Sequence, residues 1–512
     1  MITIGGHYSR DASANRQAKT LHDKCIKLLQ RREQDPVAEP DRLCDYQAMF
    51  LVEFTSQYRA RRAAKVLSSR FAKMYHKTAD DFNRTTLLLN DLIPSSCRSN
   101  TTTVSAWQQW IELAAWQRLL VACYILESQQ VLLLAREPIP SLIGFSGQDL
   151  PFPCHQSVWD ADTPGTWASA YQHQPTHLLY VFQVSSQANH MHFDDFQSSI
   201  LINTYHNRAE APVPYASALP SFDFESRLNQ SPTTIRQLLA TKLAHMTPLR
   251  ALLAVSGESW IFSEKVPSPQ AFTVLKNMLR AWVNQLWGDR SSKSPPPVSV
   301  ALFLSVKILE LALEEQKDAA TFDAGPDMGI YFAGLVLWAI TTAAHTKVHG
   351  SQPQAQSQPL KRESATSEPV ALSKLLTQAN LATPSMILAL RQPPICSPSS
   401  PTPAPDAGCA DHLMSHTWIT INTIQFLTSV LNDYDSASSA GRLPSCLARC
   451  QTGCISLLLW VKLRLRGVTL GDDPPRTEPW TGKPSDCLGE LLEGITRAIE
   501  RMLSRGWTGW GI

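Results

Sequence analysis

The chain has 512 residues, 46 Lys and Arg against 44 Asp and Glu for a net charge of +2, and 44% hydrophobic residues. That length admits roughly two to four domains, or one large helical domain with insertions, and either can bury a substantial core. The near-balanced charge leaves no global field to draw the body of the chain onto nucleic acid or anionic lipid, and eleven cysteines, an odd number spread along the chain, do not make the dense framework of a small secreted domain, so reduced thiols are expected.

The opening MITIGGHYSRD lacks the basic stretch and apolar run of a secretory signal, which makes a cytosolic or nuclear address the expectation. The glycosylation-type triplets at Asn83 and Asn100 are then incidental. A helix is predicted over 11–31. In DRLCDYQAMFLVEFTSQY the positions Leu43, Tyr46, Phe50, Leu51, Phe54 and Tyr58 recur at spacings of three and four, on one helical face, with Asp41 placed as N-cap. A further helix is predicted over 59–82, and its head carries the basic cluster Arg59, Arg61, Arg62 and Lys65 of YRARRAAK. A solvated helix face is the ordinary account of such a cluster; nuclear import or a phosphate contact is the functional one.

WQQWIELAAWQRLLVACYIL repeats the helical pattern through Trp107, Trp110, Ile111, Ala114, Val121, Ala122 and Ile125, a long and mostly buried helix with Ser105 as its start signal. GQDLPFPCHQSVWDADTPGTW, residues 147–167, then sets Cys154 beside His155. Adjacent side chains diverge, whereas a catalytic cysteine and its base converge from distant segments. Pro151 and Pro153 hold an extended backbone, Trp159 and Trp167 read as anchors pinning a loop to the helical body, and Cys154 is expected to be a buried thiol. NHMHFDD, residues 189–195, offers His190, His192, Asp194 and Asp195, able to take a divalent metal but with no further ligand group specified.

Helices are predicted over 233–255, 270–287, 299–317 and 328–345. The apolar run IYFAGLVLWAITTAA, residues 330–344, is shorter than the ~18–20 residues that span a bilayer and reads as a buried helix. Proline-rich stretches at 288–298, 347–369 and 391–408 interrupt the pattern, and residues 347–410, with the accessible basic LKRES inside them, are expected to be mostly disordered. Helices over 412–433, 444–466 and 485–505 follow, and they must pack back on the earlier ones because alone they form too small a core. CLARCQTGC puts Cys446, Cys450 and Cys454 on one helical face; structural zinc sites use tight C-x₂-C knuckles and a second ligand pair, so a stripe in a helix interface is expected. The fold class is all-α, organised as a helical body over 1–346, the Pro/Ser/Gln-rich insertion over 347–410 and C-terminal helices over 411–512. No phosphate-binding glycine loop, nucleophile elbow, zincin motif or dinucleotide fingerprint occurs, so no catalytic, cofactor-binding or metal residue is assigned and no enzyme is expected.

Taken in order, several of these stretches resemble the fungal-specific transcription factor domain, the helical regulatory region downstream of a zinc-based DNA-binding module in many fungal regulators. MITIGGHYSRDASANRQAKTLHDKC is similar to the family's small-residue and Tyr-Ser turn into a helix, and WQQWIELAAWQRLLVACYILESQ to its Trp-x-x-Trp-Ile-Glu helix. GQDLPFPCHQSVWDADTPGTW resembles its Leu-Pro-Xaa-Pro-Cys segment followed by Trp, Ala and a second Trp. YFAGLVLWAI and ELLEGITRAIERMLSRGWTGWGI resemble the closing helices of the subgroup with two-cysteine two-histidine zinc fingers. The chain departs from the family where relatives carry an acidic residue, an arginine run and a tryptophan: here stand Ala114, Trp116, Gln117, a single Arg118 and Val121, with Glu127 in place of a common Asp.

The resemblance implies a nuclear regulator of RNA polymerase II transcription, with a pathway-specific gene cluster of secondary-metabolite type as one outlet it allows. Its partners would be other transcription regulators or a second copy of itself, with no membrane. Neither C-x₂₋₄-C with H-x₃₋₅-H nor a six-cysteine cluster occurs in the sequence, and the family-like region starts almost at Met1. The expectation is therefore that zinc and promoter DNA are bound by an upstream finger segment. The alternative is a DNA-independent cofactor or sequestering partner, and a more remote one is a Cys/His-based enzyme.

Overall fold

Long runs with apolar residues every third or fourth position become helices here, and the turns between them follow proline and capping chemistry. The computed structural model describes residues 2–8, 12–35, 42–98, 104–139, 150–172, 180–186, 192–206, 224–257, 265–287, 295–314, 324–350, 418–432, 451–465 and 489–505. The protein is all-α. Among the described residues the sole extended pairing is an isolated antiparallel bridge between Pro151 and Tyr180.

In chain order the helices are α1 (Ile2–Tyr8), α2 (Ala12–Gln34), α3 (Leu43–Tyr58), α4 (Ser69–Arg98), α5 (Val104–Leu134), the short α6 (Gln156–Trp159), α7 (Pro164–Tyr171) and α8 (Asp195–His206). They continue with α9 (Pro232–Met246), α10 (Leu249–Ser256), α11 (Pro269–Asn284), α12 (Pro297–Glu314) and α13 (Ala324–Gly350). After these come α14 (418–432), α15 (Gln451–Leu465) and α16 (Glu490–Arg505).

Two helices organise the packing. α5 touches α3, α4, α7, α8 and α9, and α13 touches α5, α9, α10, α11, α12 and α15. α16 lies on α15 and reaches back to α3, so the last helix and one of the first share a face. α13 is apolar all round: residues 327–344 are buried without a break, Tyr331, Phe332 and Trp338 among them. Each such side chain contributes roughly 1.5–3 kcal/mol when removed from water. Close packing here depends on small residues, since a Cβ on Gly329 would stand 2.7 Å from that of Ala240 in α9. Asp327–Val348 is long and apolar enough to cross a membrane, yet 94% of its most apolar stretch lies inside the protein. Within the run, Thr341 folds its hydroxyl back onto the Leu337 carbonyl at 2.8 Å, which satisfies it inside the helix.

Several boundaries differ from the sequence expectation. The helix expected from residue 59 begins at Ser69, because Ser68 caps it: its Oγ accepts from the Phe71 N–H at 3.2 Å. The continuous helix over 233–255 breaks between α9 and α10, where Pro248 offers no N–H and holds Thr247 extended at φ −121°, ψ 135°. α13 runs to Gly350, so residues 347–350 are helical rather than part of the insertion. The rest of that insertion, residues 351–410 with LKRES, lies outside the described residues. Asp41 also lies outside them; Arg42 stands at the N-cap of α3, and the Asp45 carboxylate accepts its N–H at 2.9 Å.

Candidate functional site

The loop that carries Cys154 is clamped at both ends of its run. Trp167 is fully buried, 5.4 Å ring to ring from Trp110 of α5 and 5.7 Å from Tyr171, and Trp159 lies 6.4 Å from Trp110. These rings, with Leu89, Ala114 and Val158, form a small core of their own beside the main one. The guanidinium of Arg118 sits between the rings of Trp159 and Phe196, 4.7 and 4.4 Å from their centroids, and donates to Gln156 Oε1 at 2.8 Å.

Cys154 and His155 do not form a nucleophile and base. The His155 Nδ1 accepts from the Ser157 N–H at 3.2 Å and so caps α6. Cys154 is half-buried rather than fully enclosed, and the burial of its thiol pushes it up to about 12; Arg118 acts against this shift and the Asp194 charge with it. At neutral pH that leaves almost no thiolate.

The carboxylates of the would-be metal loop are spoken for. Asp194 accepts from the Gln156 N–H at 2.6 Å and the Gln197 N–H at 2.7 Å, joining the Cys154 loop to the N-terminus of α8. Asp195 accepts from the hydroxyls of Ser231 and, at 2.7 Å, Thr234, at the head of α9. The two side chains thus serve different helix starts. His192 is exposed, and His190 lies outside the described residues. Cys446 and Cys450 also lie outside them, while Cys454 is buried in α15, its sulfur 3.4 Å from the Thr341 hydroxyl of α13. Among the described residues no group of three or more His, Cys, Asp or Glu could hold a metal ion.

The basic cluster sits on a loop rather than a helix, and a buried polar network shapes that loop. Arg136, just beyond α5, donates through Nη1 to the side-chain oxygens of Gln57 and Gln130, and through Nη2 to the Ala64 carbonyl at 2.8 Å. Gln57 passes the interaction on: its amide donates to Glu53 Oε1 at 2.7 Å, and Glu53 accepts from the Ser68 hydroxyl at 2.6 Å. Gln130 in turn donates to the Tyr58 hydroxyl at 2.9 Å. Burial holds the guanidinium down at about 10 while Tyr58 and Glu53 pull it back up, so Arg136 stays charged and balances Glu53. Nothing in the local sequence marks Arg136; its role comes from the meeting of three segments.

α16 locks the other side of the same loop. Gly489 adopts φ 83°, and a Cβ there would stand 2.6 Å from the Arg59 carbonyl oxygen. The Glu490 N–H donates to the Ala60 carbonyl at 3.1 Å, and its carboxylate accepts from the Ala63 N–H at 2.7 Å. Arg61, Arg62 and Lys65 are left exposed, with Arg61 3.7 Å from Asp23 of α2. The loop is thus fastened from both sides, with Arg61, Arg62 and Lys65 on its exposed face.

The helices that build both clamps fall in one stretch of chain with known relatives. Residues 1–208 match the fungal specific transcription factor domain. The match to this domain takes in α1 to α8 and supports that family for the stretch. Zinc finger protein klf1 of Schizosaccharomyces pombe is 24% identical over 197 residues, 37% of this chain and 24% of that protein. Zinc finger protein zas1 of the same organism is 26% identical over 174 residues, 33% of this chain and 18% of that protein. The matched stretch thus spans about a quarter or less of the length of these curated relatives. No solved structure matches the chain.

Proposed function

We propose that this chain is the helical regulatory part of a fungal transcriptional regulator of RNA polymerase II genes, acting in the nucleus without enzymatic chemistry of its own. The observation that carries the reading is the match of residues 1–208 to the fungal specific transcription factor domain. The two Schizosaccharomyces pombe relatives are named zinc finger proteins, which supports base readout by a zinc-finger segment joined to or bound by this helical body. Contacts with other regulators, self-association and control of a pathway-specific gene set belong to the same proposal. The Cys154 thiol, held up to about 12 in a packed loop, supports a non-enzymatic role.

A tethering experiment tests it. The full chain, fused to a heterologous DNA-binding domain, should raise or lower reporter output by at least about tenfold relative to that domain alone, a change worth about 1.4 kcal/mol in an equilibrium. Unchanged output from a stable, nuclear fusion would sink the regulatory reading. A gel-shift with the purified chain addresses the source of base readout. Specific retardation of promoter DNA would show that the chain reads bases itself.

A further inference from the structure

We propose that α2, the loop 59–68 and the head of α4 form a surface that grips the phosphate backbone of duplex DNA without reading its bases. This deepens the regulatory reading and rests on it only for the choice of polyanion; the reporter assay reads transcription and the test below reads binding, so each can fail alone. The sequence balances its charges but does not spread them evenly. Residues 12–34 hold six Lys and Arg against two Asp and Glu, and residues 59–77 hold seven against none. Together they carry +11 in a chain of net charge +2, which leaves −9 on the remainder. A local field of this kind attracts polyanions even where the whole-chain charge gives no pull.

The fold brings the two stretches side by side. Arg61 lies 3.7 Å from Asp23 and donates to the Thr20 hydroxyl at 3.3 Å, and farther along α2 Glu33 pairs with Arg70 at 3.0 Å and Lys73 at 3.7 Å. Asp23 and Glu33 are the two acids of α2, and these contacts occupy both. Acids of neighbouring elements are engaged as well: Asp45 of α3 with Arg32 at 3.1 Å, and Glu490 of α16 with the Ala63 N–H. Lys24, Lys27, Arg31, Arg62 and Lys65 stand exposed and meet no carboxylate among the described residues. Lys24, Lys27 and Arg31 follow at one-turn spacing along α2, about 10 Å from first to last. Duplex DNA carries a phosphate charge every ~1.7 Å of its axis, so a row of that length meets several at once, whereas an acidic polypeptide offers such density only where its sequence clusters carboxylates. Arg136 and Glu490 already hold the loop that carries Arg62 and Lys65, so little ordering entropy opposes the contact.

The test follows the anisotropy of a short labelled duplex of arbitrary sequence titrated with the purified full chain. Binding should show a Kd of roughly 10⁻⁴–10⁻⁶ M at physiological salt, with log K falling linearly in log salt at a slope of about −4 to −5, as for about five phosphate contacts. An unlabelled duplex of unrelated sequence should compete equally well. Lys27→Ala and Arg62→Ala should each reduce the slope by about 1. The double reversal Lys27→Glu with Arg62→Glu should weaken binding at least about tenfold, whereas Lys265→Glu with Arg280→Glu, the same charge change at and just before α11, should leave it within about twofold. All four positions are exposed, so both double variants should fold. Absence of binding at low salt, equal loss from the two double variants, or more than about tenfold preference for one sequence would each overturn the proposal. Tighter binding of polyglutamate or of phosphatidylserine vesicles than of the duplex would overturn it too, by assigning the surface to an acidic protein or a membrane.

Discussion

Two loops are fastened to opposite ends of α5, one by rings and the other by a buried charge. Near the start of the helix, Trp110 packs tilted against Trp167 and edge-on to Tyr171 and holds the loop around Cys154. Beyond its end, Arg136 reaches Gln57, Gln130 and the Ala64 carbonyl and holds the basic loop. Most of what ring burial contributes is non-directional and degrades in proportion to the apolar surface lost. A polar network depends on every member, since removing one orphans the others in a low dielectric. The first clamp should therefore tolerate similar substitutes, and the second should not.

The largest effects test that contrast. Arg136→Ala should destabilise by ~3–5 kcal/mol, as for other buried charges stripped of a partner, seen as a lower urea midpoint at unchanged slope. Arg136→Lys should recover little of it, because a single ammonium cannot reproduce the fork that serves three acceptors. Trp167→Ala should cost a similar ~3–5 kcal/mol, but Trp167→Phe should recover most of it. If lysine rescued Arg136 as well as phenylalanine rescues Trp167, the distinction between the clamps would fall.

A middle-sized effect concerns pH. Glu127 of α5 is half-buried, its Oε1 accepts from the Ile139 N–H beyond the helix end at 2.8 Å, and burial lifts its carboxyl above the usual carboxylate range. The folded state therefore keeps this proton to a higher pH than the unfolded chain does. Its stabilising contribution is complete below the unfolded pKa and is lost as pH rises through the folded one. Glu127→Gln should flatten that segment of a melting-temperature profile, and an unchanged slope would assign the titration elsewhere.

Smaller changes sharpen the picture at the loop ends. Asp194→Ala should cost ~1 kcal/mol or somewhat more, since it removes the cap of α8 and frees the Gln156 N–H. Cys154→Ala should cost ~1 kcal/mol in a chemical melt, and in the native protein Cys154 should alkylate far more slowly than exposed Cys44. Ala135, left-handed at φ 49°, should act in the opposite sense: Ala135→Gly is expected to stabilise by ~1 kcal/mol.

The two clamps also differ in how far they were legible. Trp159 and Trp167 could be read as anchors because large aromatics between prolines have no other economical place than a core. Arg136 could not, because no periodicity marks a lone arginine whose partners come from α3, α5 and the basic loop. The same limit explains YRARRAAK, where helical composition suggested a helix and the competing bonds of Ser68, Glu53 and Gln57 made a loop. Asp194 and Asp195 illustrate it again: adjacent carboxylates resemble a ligand pair until the fold sends each to a different helix start.

The sequence by itself determined the all-α class, the buried character of α5 and α13 and the likeness to a fungal regulatory domain, because local periodicity and ring placement are written along the chain. Only the tertiary structure decided where α3 and α9 stop, which carboxylates cap which helices and how Arg136 is satisfied. Those outcomes depend on hydrogen bonds between residues far apart in the chain, and such bonds have no direction until the helices are packed.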